Sequence, residues 1–161
     1  MKIPLEALVG ELLSQRGMKL AVAESCTGGL IGHLLTNVPG ISRYYMGSIT
    51  AYANEAKVRL LGVCQETLEK HGAVSSEIVI EMARGVCTAF GADIGISVSG
   101  IAGPGGGTPE KPVGTVWIGL SSQSEEYSRH YLWSGDRLAV KDQTAQAALN
   151  LLVEYLQKGL V

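Results

Sequence analysis

The stretch of this chain richest in reactive side chains is Glu24-Ser25-Cys26-Thr27-Gly28-Gly29, where two hydroxyls and a thiol stand between a short apolar run and a glycine pair. An apolar run ending in such a turn reads as a buried strand passing into a helix. The first N–H groups of that helix are unpaired and lie at the positive end of its dipole. Donors converging on one point stabilise an oxygen that gains negative charge in acyl transfer, and they hold a phosphate equally well. Gly28 and Gly29 let a ligand approach the backbone closely. Ser25 or Thr27 also suits the plainer task of capping the helix.

A serine hydroxyl is a weak nucleophile at neutral pH and needs a base. His33 falls two turns into the following helix, and His71 and His130 are scattered, so no histidine takes that place. The other candidate is Lys57 in Tyr52-Ala53-Asn54-Glu55-Ala56-Lys57, if burial or a neighbouring positive charge keeps its amine neutral. Taken alone, a helical lysine after Glu55 reads as a solvated residue. Cys26 is a second candidate nucleophile, because thiolates are intrinsically better at attack. It also fits as a small core residue beside the first helix.

Two further segments bear on binding. Gly100-Ile101-Ala102-Gly103-Pro104-Gly105-Gly106-Gly107-Thr108 is dense in glycine, but no Lys-Ser or Lys-Thr follows it, and it is not G-x-G-x-x-G. With Pro109 and Pro112 after it, it reads as a loop wrapping a ligand with backbone N–H groups, or else as a flexible connection. Ser134-Gly135-Asp136-Arg137 opens the last helix. Asp136 suits its cap, and the planar fork of Arg137 suits a phosphate or carboxylate, or simply solvent.

The elements that must carry these residues are legible from pattern. Residues 4–16 have apolar positions at helical spacing, ended by Gly17. Residues 20–23 read as a buried strand, and Gly28 onward as a helix that stops near Pro39-Gly40. Residues 45–52 form a second strand; Asn54 caps a helix that Gly62 ends. A short helical stretch at 65–70 precedes a longer helix through Phe90, capped by Ser75 or Ser76 and stopped by Gly91. Residues 94–99 form a third strand. Residues 115–120 and 127–132 form a hairpin joined through Ser121-Ser122-Gln123-Ser124, and residues 136–157 a closing helix. The expected fold is α/β, with helices on both faces of a mixed sheet of about five strands. If the first two strands are neighbours, Ser25 and Lys57 open on the same sheet edge, where ligands of open α/β sheets bind.

Composition narrows the class. The chain has 161 residues, 46% hydrophobic and 17% charged, with a net charge of -2 and no basic run. This fits one globular domain and argues against nucleic acid or an anionic membrane as partner. No apolar run approaches the ~18 residues of a spanning helix, and Glu6 and Glu11 interrupt the N-terminal pattern, so a cytoplasmic location is expected. Cys26, Cys64 and Cys87 have neither disulfide-framework nor zinc spacing, and the histidines lack ligand spacing, so no metal is expected. Tyr44, Tyr45, Trp117 and Trp133 fit either an interface or the core.

Seven segments, in order, resemble the C-terminal domain of CinA and its stand-alone relatives. They are Ala23-Glu24-Ser25-Cys26-Thr27-Gly28-Gly29, Tyr52-Ala53-Asn54-Glu55-Ala56-Lys57, Leu61-Gly62-Val63, His71-Gly72-Ala73-Val74-Ser75, Gly100-Ile101-Ala102-Gly103-Pro104-Gly105-Gly106, Lys111-Pro112-Val113-Gly114-Thr115-Val116 and Gly135-Asp136-Arg137. The sequence departs mildly from the family pattern at Ser42-Arg43-Tyr44-Tyr45-Met46 and Gly47-Ser48-Ile49-Thr50-Ala51, in positions that bear on how a nicotinamide ring is enclosed.

The resemblance implies a three-layer α/β/α sandwich with a mostly parallel sheet, one domain over 1–161, and hydrolysis of nicotinamide mononucleotide to the acid and ammonia without cofactor. Ser25 falls on the family's nucleophile, Lys57 on its base, and Tyr52 on a tyrosine expected to bond the nucleophile or the leaving amine. Substrate contacts are expected from Cys26, Thr27, Gly28, Gly29, Asn54, Gly100, Ala102, Gly103, Gly105, Gly106 and Arg137. The turn would serve the oxyanion, and the glycine loop with Arg137 the ribose phosphate. The second hydrolase activity of multidomain CinA proteins is expected to be absent, and a homo-oligomer is expected. The alternative is a nucleotide-binding or regulatory module without catalysis, linked to competence and DNA damage.

Overall fold

The computed structural model describes residues 2–158; residue 1 and residues 159–161, at the ends of the expected single-domain span, lie outside the described residues. Five strands form one sheet in the order β2-β1-β3-β4-β5. These are β1 (Leu20–Glu24), β2 (Tyr45–Thr50), β3 (Ile94–Gly100), β4 (Thr115–Ser122) and β5 (Glu126–Leu132). β1 pairs in parallel with β2 and β3, and the hairpin adds β4 and β5 antiparallel. Four strands therefore share one direction and β4 alone opposes them. The sheet is mixed and mostly parallel, as expected.

Helices cover both faces. α1 (Leu5–Arg16), α2 (Leu30–Thr36) and α6 (Arg137–Gln157) pack with Leu20, Val22, Ile94, Ile96, Val98, Ile118 and Leu120. α3 (Asn54–Leu61), α4 (Gln65–His71) and α5 (Ser76–Phe90) cover Ala21 and Ala23 on the other side. Alternate residues of β1 thus feed two separate apolar layers, which is why the strand is buried throughout. Each fully buried leucine or isoleucine in them contributes about 1.5–3 kcal/mol.

The α5 face of the sheet is built from small residues. A Cβ on Gly95 or Gly119 would collide with the carbonyls of Ala83 and Val79, and the Ser97 hydroxyl donates to the same Val79 carbonyl. α5 consequently lies with its backbone against the sheet. On its far side, a Cβ on Gly85 would overlap the Leu61 carbonyl, so α3 touches α5 backbone to backbone.

The helix stops at Gly17, Gly62 and Gly91 stand where expected. Ser75, rather than Ser76, caps α5 by accepting from the Ile78 N–H. Other local expectations change. α2 begins only at Leu30 and ends at Thr36, because Gly28 and Gly29 form a separate turn before it. Asn54 does not cap α3: it is the first helical residue, and Ala53 precedes it in extended conformation without a side-chain cap. β2 stops at Thr50, short of Tyr52, and the hairpin strands reach into the serine stretch, with Ser121 paired to Glu126. Tyr44, Tyr45 and Trp133 are half-buried against the α6-side core, and the Trp117 ring packs tilted against His130. No helix among the described residues is long and apolar enough to cross a membrane.

Candidate active site

The central strand delivers Ser25 to the end of the sheet. Its N–H donates to the Val98 carbonyl at 3.1 Å, so the parallel pairing with β3 continues one residue past β1. The chain then turns sharply: Gly28 has φ 61° and Gly29 φ 105°, backbone that residues with a side chain rarely adopt. Neither Ser25 nor Thr27 caps α2. The cap is Glu24, fully buried at the end of β1. Its Oε1 accepts from the Thr27 hydroxyl at 2.6 Å and the Ile31 N–H at 2.9 Å, and its Oε2 from the Gly32 N–H at 3.0 Å. A carboxylate at the positive end of a helix, with three donors, anchors the turn that holds Ser25.

This arrangement narrows the expected oxyanion site. The Gly28 N–H is bonded to the Ser25 carbonyl at 3.0 Å and is not available to a ligand. Thr27 is only 1% exposed, with its hydroxyl donated to Glu24. The N–H groups of Cys26 and Thr27 have no hydrogen-bond partner among the described residues.

Lys57 reaches Ser25 from the neighbouring chain segment. The Ala51 N–H donates to the Glu24 carbonyl at 2.9 Å, so the exit of β2 stays beside that of β1 and α3 starts close to the turn. Lys57 is 1% exposed, and its Nζ lies 3.0 Å from the Ser25 Oγ and 3.1 Å from the Tyr52 carbonyl. No carboxylate forms a salt bridge with it among the described residues. Burial disfavours the ammonium and holds the Lys57 pKa below the ordinary lysine value. A buried amine at hydrogen-bond distance from a serine hydroxyl is the geometry for general-base activation of that hydroxyl.

Cys26 is packed between the cavity wall and the core. It is 5% exposed and belongs to the apolar layer under α6, and burial pushes its thiol up to about 12. At neutral pH it is a thiol in the core, which weighs against the alternative nucleophile.

Around the Ser25–Lys57 pair is a cavity of about 290 Å3. Of the residues expected at the site, Cys26, Tyr52, Asn54, Gly100, Ala102, Gly103, Gly105, Gly106 and Arg137 line it, whereas Thr27, Gly28 and Gly29 do not. The glycine loop is tied down at its base: the Ile101 N–H donates to Thr115 and the Gly114 N–H to Ile101, at 2.9 and 2.8 Å. Tyr52 serves the site differently from its expected role. Its carbonyl holds Lys57, while its exposed ring places the hydroxyl 2.8 Å from Arg137 Nη2 and not on Ser25. Arg137 also donates to the Gly103 carbonyl at 2.7 Å, linking α6 to the loop across the mouth. A larger cleft between α1 and residues 38–44 has no buried titratable group and lies away from this pair.

Sequence reasoning missed the wall formed by Ala73 and Val74. Ser99, at the end of β3, fixes it by donating to the Ala73 carbonyl at 2.8 Å, and Lys111 donates to the His71 carbonyl at 2.6 Å. The signal for Ser99 is its place at the C-terminal end of a buried strand, where polar side chains face the ligand edge. Glu24 carried a signal too, a carboxylate ending an apolar run directly before a helix. Among the described residues, no group of three or more His, Cys, Asp or Glu side chains is arranged to hold a metal.

Comparison with known proteins agrees along the chain. The profile of the CinA C-terminal domain matches residues 2–156. A putative competence-damage inducible protein of Moorella thermoacetica is 52% identical over 153 residues, which cover 95% of this chain and 37% of that protein. A CinA-like protein of Salinibacter ruber is 51% identical over 147 residues, covering 91% and 36%. The chain thus spans little more than a third of these relatives. Among solved structures, a competence-damaged protein (CinA) superfamily protein from Klebsiella pneumoniae superposes with a TM-score of 0.91 at 38% identity, over 94% of this chain and 95% of that one. The competence/damage inducible protein CihA from Agrobacterium tumefaciens gives 0.89 at 34% identity, over 98% and 100%. With its fold, its motifs and nearly all of its length accounted for, this chain belongs to the CinA C-terminal domain family.

Proposed function

We propose that this domain hydrolyses the carboxamide of nicotinamide mononucleotide to nicotinic acid mononucleotide and ammonia. The observation that carries the reading is the Lys57 amine, buried without an acidic partner among the described residues and 3.0 Å from the Ser25 hydroxyl in a cavity. In the neutral form, Lys57 accepts the hydroxyl proton as the Ser25 Oγ attacks the amide carbon. The resulting oxyanion is served by the N–H of Cys26, the turn residue that lines the cavity and whose N–H has no hydrogen-bond partner among the described residues. Lys57 then passes its proton to the departing nitrogen, the C–N bond breaks, and ammonia leaves an acyl-serine ester. Water attacks that ester with Lys57 again accepting a proton; the ester C–O bond breaks, Lys57 returns the proton to the Ser25 Oγ, and the acid and free serine are restored. The glycine loop and Arg137 hold the ribose phosphate end.

The test is ammonia release from nicotinamide mononucleotide by the purified chain. The wild type is expected to turn the nucleotide over, and Ser25→Ala to lose at least about 10^3-fold in kcat. Binding of the nucleotide without ammonia release would overturn the proposal in favour of a non-catalytic nucleotide-binding module.

A further inference from the structure

Lys141 lies on α6 four residues after Arg137, so both side chains project from one face of that helix. Its Nζ stands 3.8 Å from the point a Cβ would occupy on Gly28, and beyond the chain neighbours of Gly28 no other atom of the described residues comes within 4 Å of that point. Lys141 is half-buried. Among the described residues it has neither a hydrogen bond nor an acidic partner, unlike Arg84, Arg129 and Lys158, which are paired with glutamates. Among the described residues Arg137 also lacks a carboxylate partner; of the five N–H donors of a guanidinium, it uses one on Tyr52 and one on Gly103.

Two unneutralised cations thus flank the turn that carries Ser25, and the missing side chain of Gly28 leaves space between that turn and Lys141. A partly desolvated ammonium without a counter-charge destabilises the free protein, and an anionic ligand relieves that cost. A phosphate monoester carries close to two negative charges at neutral pH and matches a pair of cations, with lysine as the point charge beside the arginine fork.

We infer that Lys141 takes the charge of the substrate's phosphate monoester and sets the preference for a nucleotide amide over the corresponding nucleoside amide. The inference rests on the amidase reading for its substrate, and its test separates the two. In a Ser25→Ala background, binding of nicotinamide mononucleotide and of nicotinamide riboside is measured by calorimetry, with Lys141→Met, Lys141→Gln and Lys141→Arg added singly. Loss of the charge is expected to weaken nucleotide binding about tenfold or more, leave riboside binding within about twofold, and be largely rescued by arginine. Equal weakening of both ligands, or a change below about twofold for the nucleotide in whichever neutral variant folds, overturns the inference. If the wild type releases no ammonia yet nucleotide binding falls selectively in these variants, the amidase reading fails and the role of Lys141 stands. If the wild type hydrolyses the nucleotide and the selectivity does not move, the reverse holds. No nucleotide binding at all overturns both.

Discussion

Replacing Lys57 by methionine keeps an unbranched stem of similar length and removes the amine, so it separates what Lys57 does for the fold from what it does for the chemistry. The substitution deletes hydrogen bonds to the Ser25 hydroxyl and the Tyr52 carbonyl, at 3.0 and 3.1 Å. Each such bond contributes about 1 kcal/mol net. Against that loss, an apolar side chain in a site 1% exposed to solvent carries none of the desolvation penalty of a buried ammonium. The two effects oppose each other, and the net change in stability is expected within about 2 kcal/mol of zero, a shift of no more than roughly 8 °C in Tm for a domain of this size.

Activity has no such compensation. A lost general base lowers kcat by about 10^2–10^4, equivalent to roughly 3–5 kcal/mol in the barrier. Ammonia release and a calorimetric melt, run on the same preparation, read both. In the wild type, burial lowers the Lys57 pKa and the neutral amine is the reactive form. The rate constant kcat/KM therefore rises with pH through that lowered value and levels off above it, with its inflection below the ~10.4 of a free lysine. Stability follows the same group. Between the lowered value and ~10.4 the unfolded chain binds the proton and the folded chain does not, so wild-type stability rises with pH across that window relative to Lys57→Met, and the difference is flat on either side. Retention of more than about a tenth of wild-type activity by Lys57→Met would refute the assignment of Lys57 as base. A fall in Tm well beyond 10 °C would show that the amine is mainly a structural strut.

Glu24→Ala leaves the Ile31 and Gly32 N–H groups and the Thr27 hydroxyl without their acceptor, and is expected to cost about 2–3 kcal/mol, read as a lower denaturant midpoint. Glu24→Gln, which keeps one acceptor oxygen, is expected to cost less. Cys26→Ala should keep catalytic activity within about threefold while losing roughly 1–2 kcal/mol of packing, and thiol reagents at pH 8 should label the exposed Cys64 first. A hundredfold loss of kcat in Cys26→Ala would bring the thiol back as the nucleophile. Tyr52→Phe removes a hydroxyl bonded to Arg137 and leaves the carbonyl that holds Lys57, so steady-state kinetics should show a change in KM with kcat nearly intact.

How much of this was readable beforehand depended on the range of the interaction involved. The helix stops at Gly17, Gly62 and Gly91 and the cap at Ser75 are set by residues within a turn of each other, and they appear in the sequence as they do in the fold. The buried character of β1 was equally plain from its apolar run. Asn54 misled because a residue suited to capping was preceded by Ala53, whose extended backbone begins the helix one residue earlier than expected. The burial of Lys57 was hidden. Its neighbours Glu55 and Arg59 face solvent, and only the adjacency of β1 and β2 together with the contact of α3 on α5 encloses its amine. The Tyr52–Arg137 bond joins residues 85 positions apart, so nothing near Tyr52 announced where its hydroxyl would point. Glu24 was the nearest miss, since its partners lie within eight residues, yet a carboxylate ending a strand reads as a solvent-facing edge unless the following helix is known to fold back over it.

The contacts of α5 with its two neighbours carry a consequence for heat. Its backbone rests on the sheet at Gly95 and Gly119, and the α3 carbonyl of Leu61 rests on it at Gly85. Ser25 hangs from the sheet and Lys57 from α3, so the backbones that carry them are spaced by main chain stacked on main chain, and the buried Lys57 side chain alone spans the rest of the way to its 3.0 Å contact. Such stacks have the low compressibility of a crystal. The backbones that carry the hydroxyl and the amine can then drift apart only when the stack itself comes apart, and thermal loss of their spacing coincides with loss of the whole domain instead of preceding it.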